Sequence, residues 1–74
     1  MRTVVLFPTV GEAEAFRRRC PDVAYRITGV GPAAAAAATA RAVVDERPDL
    51  LLLAGIAGVY PASEVAVGEV VAVA

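Results

Sequence analysis

At 74 residues the chain is one domain at most, and a chain this short buries only about 60–65% of the surface it exposes when unfolded, yet 58% of it is hydrophobic and its mean hydropathy is +0.64. Seven arginines against eight carboxylates give a net charge of −1, which argues against a nucleic-acid module and against a polybasic membrane-surface binder. With no His and a single cysteine, Cys20, the chain can build neither a zinc site nor a His-dependent nucleophilic pair nor an internal disulfide from its own residues.

Val4-Val5-Leu6-Phe7 is a short apolar run closed by Pro8, and reads as a fully buried strand. Thr9-Val10-Gly11-Glu12 has the Thr-x-x-Glu spacing of a capping box, which starts a helix at about Val10. Ala13, Ala15 and Phe16 are expected on its buried side. Arg17-Arg18-Arg19 fills its last turn, where cations complement the helix dipole, and Pro21 stops it. Val23 to Thr28 reads as a second strand. Gly29-Val30-Gly31 is a turn, and Pro32 suits the first position of a helix running to about Glu46. Six alanines, Ala33 to Ala38, give that helix high propensity and a narrow cylinder that packs close to a sheet. Leu50 to Ala54 is a third strand, apolar on both faces, as in parallel sheets covered on both sides. Val65 to Ala74 holds a fourth strand signal, Val70-Val71-Ala72-Val73.

The order β-α-β-α-β-loop-β predicts an α/β fold with a mostly parallel sheet. Two helices are too few to cover both faces of a four-stranded, doubly buried sheet. The chain is therefore expected to be the N-terminal portion of a single larger domain, residues 1–74 of it. Thr3 to Phe7 is too short for a signal peptide. The longest apolar or glycine stretch, Leu50 to Tyr60, falls well below the roughly 18 residues of a membrane span. A cytoplasmic protein with no membrane partner is expected.

Three features carry candidate chemistry. Gly29-Val30-Gly31-Pro32-Ala33-Ala34 fits G-x-G-x-x-A between a strand and a helix. It reads as a dinucleotide fingerprint, as a tight strand-to-helix turn, or as a turn that also touches another ligand. The fingerprint needs an acid at the end of the following strand, and Asp49 precedes that strand instead. Gly55-Ile56-Ala57-Gly58 lies at the carboxyl end of its strand, where ligands bind in open α/β sheets; the plainer reading is a loop that turns the chain. Glu12 is a capping-box carboxylate, a solvated helix residue, or a catalytic base at the top of the first strand. Arg17-Arg18-Arg19 reads as a solvated helix end, Cys20 as an inert thiol, and Tyr60-Pro61 as loop packing.

Together, Val4–Glu12 (VVLFPTVGE), Thr28–Ala37 (TGVGPAAAAA) and Asp49–Val71 (DLLLLAGIAGVYPASEVAVGEVV) resemble the nucleoside phosphorylase and nucleosidase superfamily. The third segment is similar to the P-D-hydrophobic-x-G-x-A-G…VGD-V-V signature of the adenosylhomocysteine nucleosidases. Its Gly-Ile-Ala-Gly-Val-Tyr-Pro form looks most like the futalosine hydrolases of menaquinone biosynthesis. The resemblance implies an incomplete three-layer α/β/α phosphorylase/hydrolase-like fold. It also implies hydrolysis of the N-glycosidic bond of a purine nucleoside, with no cofactor and no metal, in a homo-oligomer when full length. By the same resemblance Glu12 helps activate the attacking water. Pro8 and Thr9 form the pocket wall, Val30 is an apolar contact near the ribose, and Ile56, Ala57 and Gly58 are loop positions at the substrate. Ile56 stands where the adenosylhomocysteine nucleosidases usually have Ser or Thr, and Glu69 replaces the Asp of VGD. The family's purine-protonating Asp and its ribose-gripping Met-Glu pair are expected downstream of residue 74.

The phosphorylases of the superfamily place arginines near the first-strand loop and before the glycine-rich loop. This chain has Pro8-Thr9 and Leu53-Ala54 there. Holding a phosphate dianion needs such cations, so a water nucleophile with a carboxylate base fits better. A methylthioadenosine/adenosylhomocysteine nucleosidase, a non-catalytic α/β binding module and a dinucleotide-binding unit are the alternative readings.

Overall fold

The computed structural model describes residues 1–73. It contains β1 (Thr3–Phe7), α1 (Val10–Arg19), β2 (Ala24–Ile27), α2 (Pro32–Glu46) and β3 (Leu50–Leu53). The run Val4 to Phe7 becomes the middle of a three-stranded parallel sheet ordered β2-β1-β3. Val4 pairs with Ala24 on one side and Leu51 on the other. The chain crosses from β1 to β2 and then back over β1 to β3. Two crossovers of the same hand taken in opposite directions put their helices on opposite faces of the sheet.

The alternation of side chains along β1 builds one small core on each face. Val4 and Leu6 point to the α2 side and close on Ala42, which is fully buried, with Ala24 and Leu51 packed against them. Val5 and Phe7 point to the α1 side and meet Ala13, with Phe16, Val23, Tyr25 and Ala54 around them. Phe7 and Phe16 form a tilted aromatic pair with ring centres 5.3 Å apart. Each fully buried Val or Leu contributes about 1.5–3 kcal/mol, so β1 is the most heavily stabilised segment. The small residues at the helix contacts, Ala13 and Ala42, let the helices lie close to the sheet.

The N-terminal end of the sheet is tied by charge. Arg2 donates its backbone N–H to Asp49 Oδ2 (2.7 Å) and its Nε–H to the Glu46 carbonyl (2.8 Å). Asp49 and Leu50 donate their backbone N–H groups to the Arg2 carbonyl (2.8 and 3.1 Å). Glu46 also pairs with Arg26 (3.5 Å), and Asp45 with Arg26 and Arg41 (3.3 and 3.2 Å). Arg17 and Arg18 reach Glu14 at 3.7 and 4.0 Å. Every one of these side chains keeps some contact with solvent, which screens the pair and holds its worth to about 0–1 kcal/mol.

Three expectations are corrected. Ala15 is exposed, because the three-residue step from Ala13 to Phe16 fixes the inward stripe and leaves Ala15 off it. The leucine strand is not covered on both faces: Leu52 and Leu53 are 46% and 63% exposed. β3 is an edge strand of this sheet, and only Leu51 belongs to a core cluster. The fourth strand does not form among the described residues. Val70 to Val73 carry no strand, and Val70 is 94% exposed. A parallel strand beside β3 needs a crossover, usually helical, and the glycine- and proline-bearing segment from Ala54 to Glu69 contains no helix. Ala74, the last residue of that strand signal, lies outside the described residues.

Among the described residues no helix is long and apolar enough to cross a membrane.

Candidate functional site

With β1 between β2 and β3, the connections leaving β1 and entering β3 run on opposite faces of the sheet. This opens a crevice at the carboxyl ends of β1 and β3, the kind of switch point at which open α/β sheets bind ligands. Two backbone bonds continue the pairing past the strand ends. Ala54 donates to the Leu6 carbonyl (2.9 Å), and Thr28 donates to the Phe7 carbonyl (2.8 Å). The loops after all three strands therefore start side by side, with Pro8 in the middle.

Thr9 is the N-cap of α1, in extended conformation (φ −134°, ψ 158°). Its Oγ1 accepts a hydrogen bond from the Glu12 backbone N–H (3.2 Å), which is one half of a capping box. The other half would return the Glu12 carboxylate to the Thr9 N–H. The structure sends it elsewhere. Glu12 Oε2 accepts from the Thr9 hydroxyl (2.8 Å), and Oε1 accepts from the backbone N–H of Ile56 (3.1 Å). The carboxylate thus bridges the first loop to the glycine-rich loop across the crevice. Glu12 is partly buried. It sits in the first turn of α1, where the helix dipole favours negative charge. Each carboxylate oxygen has two lone pairs, so each still has room for one more donor.

Gly55 makes that bridge possible. A Cβ there would lie 3.3 Å from Pro8 Cγ, 3.4 Å from Pro8 Cδ and 3.5 Å from Glu12 Oε1. The bare backbone lets the loop pass over the Pro8 ring close enough for Ile56 N–H to reach the carboxylate. Beyond Ile56 the chain turns outward. Ala57 and Gly58 are exposed and, with Ile56, Tyr60, Val65 and Val67, line an open concavity shaped by the loop itself. The Ile56 side chain is 88% exposed; only its backbone joins the bridge. Glu69 closes a turn of the same loop by accepting from the Ala66 N–H (2.9 Å).

The Gly29-Val30-Gly31 turn comes alongside through Gly29, whose N–H donates to the Pro8 carbonyl (3.1 Å). Gly29 and Gly31 both have positive φ (86° and 105°), a backbone region costly for side-chain-bearing residues. Turn geometry alone therefore requires both glycines. Val30, between them, is 77% exposed and stands free on the rim. Asp49, the acid nearest to a dinucleotide pattern, is bound to Arg2 at the opposite end of the sheet. The turn and this acid cannot share one ligand.

The structure thus brings Pro8, Thr9, Glu12 and the Ile56 backbone into one constellation. Val30 is placed at its edge, and Ala57 and Gly58 on the loop leading away from it. Sequence reasoning missed the Ile56 N–H as a partner, since a backbone donor leaves no mark in residue type. It also missed Arg2, whose partners lie more than forty positions away in the chain. For Gly55, its place between an apolar strand and a second loop glycine was the available signal. Comparison with protein-family models, with curated proteins and with solved structures finds no match to this chain.

Proposed function

We propose that these residues form the water-activating side of a purine-nucleoside hydrolase of futalosine type, within an incomplete three-layer phosphorylase/hydrolase-like fold. The reaction is cleavage of the N-glycosidic bond by water, releasing hypoxanthine from futalosine. Glu12 takes a proton from the attacking water as the ribosyl carbon gains oxocarbenium character. Pro8, Thr9 and Val30 flank the sugar, and Ile56, Ala57 and Gly58 border the nucleoside. The acid that protonates the leaving purine belongs to chain outside these 74 residues.

The observation that carries this reading is the Glu12 carboxylate, held at the switch point by Thr9 and Ile56 with lone pairs to spare. The position of the cations supports water over phosphate as nucleophile. Arg2, Arg26 and Arg41 are paired with Glu46 and Asp45, and Arg17 and Arg18 lie at the far end of α1. None of these contacts reaches the Pro8–Glu12 loop. Ile56 supports the futalosine side of the assignment, because its aliphatic side chain offers no hydrogen bond to a substrate group.

The test is Glu12→Gln in the full-length protein, assayed on futalosine and on adenosylhomocysteine. Gln keeps the shape and can still accept from Ile56 N–H, but it cannot act as a base. The expected loss in kcat is about 10²–10⁴-fold, with kcat/KM of the unaltered enzyme favouring futalosine about ten- to a hundredfold, as an unpaired buried polar group costs ~1–3 kcal/mol. Near-normal turnover in a folded Glu12→Gln protein would reduce Glu12 to a structural tie. Faster cleavage of adenosylhomocysteine would select the other nucleosidase class.

A further inference from the structure

We propose that Thr9 is a positioning residue whose hydroxyl aims the Glu12 carboxylate at the glycine-rich loop. The direction of each hydrogen bond follows from the partners. The Glu12 backbone N–H can only donate, and an ionised carboxylate can only accept. The Thr9 hydroxyl, 3.2 Å from the first and 2.8 Å from the second, therefore accepts from one and donates to the other. Its single proton is committed to Oε2. With Oε2 held there, the rotation of the carboxyl group is fixed and Oε1 falls at the Ile56 N–H (3.1 Å). In an ordinary capping box the carboxylate turns back to the N-cap N–H and no such reach occurs. Thr9 thus has two separable jobs, capping α1 as an acceptor and orienting Glu12 as a donor. Only the second serves the crevice. The kinetic consequence rests on the hydrolase reading above; the geometric one does not.

Substitutions that spare one job and remove the other separate them. Thr9→Gly is nearly as good an N-cap as threonine but has no hydroxyl to give Glu12. Thr9→Val loses both jobs, and Thr9→Ser keeps both. The measurements use the full-length protein: amide hydrogen exchange at Ile56, Tm, and kcat and KM on futalosine.

Thr9→Gly is expected to leave Tm near that of the unaltered protein while speeding Ile56 exchange roughly threefold to tenfold, the factor for one net hydrogen bond. It lowers kcat roughly ten- to a hundredfold, the scale of a misaligned catalytic group, with KM nearly constant. Thr9→Ser restores both exchange and kcat. Unchanged Ile56 exchange in Thr9→Gly overturns the proposal, and so does faster exchange with unchanged kcat in an active enzyme. If the unaltered protein cleaves no nucleoside, faster Ile56 exchange in Thr9→Gly together with its recovery in Thr9→Ser supports the positioning role and removes the hydrolase reading instead.

Discussion

At the scale of single residues, the crevice depends on one missing side chain as much as on those present. Gly55 passes so near Pro8 and Glu12 that a methyl group would meet three atoms at 3.3–3.5 Å. Pro8 is a ring fixed at the end of β1 and has little freedom to withdraw, so the loop must give way. Gly55→Ala is expected to lower stability by less than about 1 kcal/mol, because the crowding cost is partly offset by alanine's smaller unfolded-state entropy. Its effect on the site is larger in proportion, since lifting the loop by a few tenths of an ångström lengthens the Glu12–Ile56 bond. Thermal unfolding and amide hydrogen exchange at Ile56 measured on the same variant check this. Unaltered Ile56 exchange would show that the close approach is unimportant to the bridge. Legibility in the sequence differs sharply between these residues. The Thr9-x-x-Glu12 spacing announces a cap, and the cap is present. Its carboxylate half goes to Ile56 instead, because the pairing of β1 with β3 brings a backbone donor within reach that no local pattern encodes.

At the scale of elements, both helices run over the residues their signals mark, and their ends show why. α1 starts at a Thr cap and ends after three arginines, with Cys20 N–H donating to the Phe16 carbonyl (2.8 Å). α2 starts at Pro32 after Gly31 and ends at Glu46, capped by Arg47 in the left-handed conformation (φ 47°, ψ 57°). Glycine usually fills that position, and a side chain there costs roughly 1–2 kcal/mol. The Arg47 side chain is exposed. Arg47→Gly is therefore expected to stabilise the protein by about 0.5–1 kcal/mol, after the larger unfolded-state entropy of glycine is subtracted. The midpoint of urea unfolding should rise with an unchanged slope. A lower midpoint would show that the arginine contributes more than its backbone costs. The strands were harder to read than the helices. β1 and β2 lie within a residue of the marked runs, whereas Val70 to Val73 has equal β-propensity and forms no strand. A strand exists only when a neighbour completes its hydrogen bonds.

At the scale of the whole molecule, two small cores flank one buried strand, and much apolar surface remains outside them. Leu52, Leu53, Val67, Val70 and Val73 are exposed, and the outer edge of β3 has no paired strand among the described residues. Unpaired apolar edges invite pairing with another chain, and contiguous apolar patches drive association. The 74-residue chain on its own is expected to self-associate at micromolar concentration. Leu53→Lys, which places a charge on the open edge, should shift it toward monomer. Sedimentation velocity distinguishes the two. A monodisperse monomer with a cooperative thermal transition for the unaltered chain would reject this expectation.

The sequence by itself determined the α/β class, the order of the elements, the bounds of both helices and the turn glycines. Each of these is local: a cap, a proline, a run of alanines or a left-handed turn acts within a few residues. It also marked Glu12 as the carboxylate at the top of the first strand. Only the tertiary structure decided that β1 is central, that the leucine strand is an edge, that Ala15 faces water, and that Glu12 reaches Ile56. Those outcomes are set by which strands pair and in what register. Pairing joins residues far apart in the chain, Val4 to Ala24 and Val4 to Leu51, and its hydrogen bonds run between backbone groups that every residue carries alike.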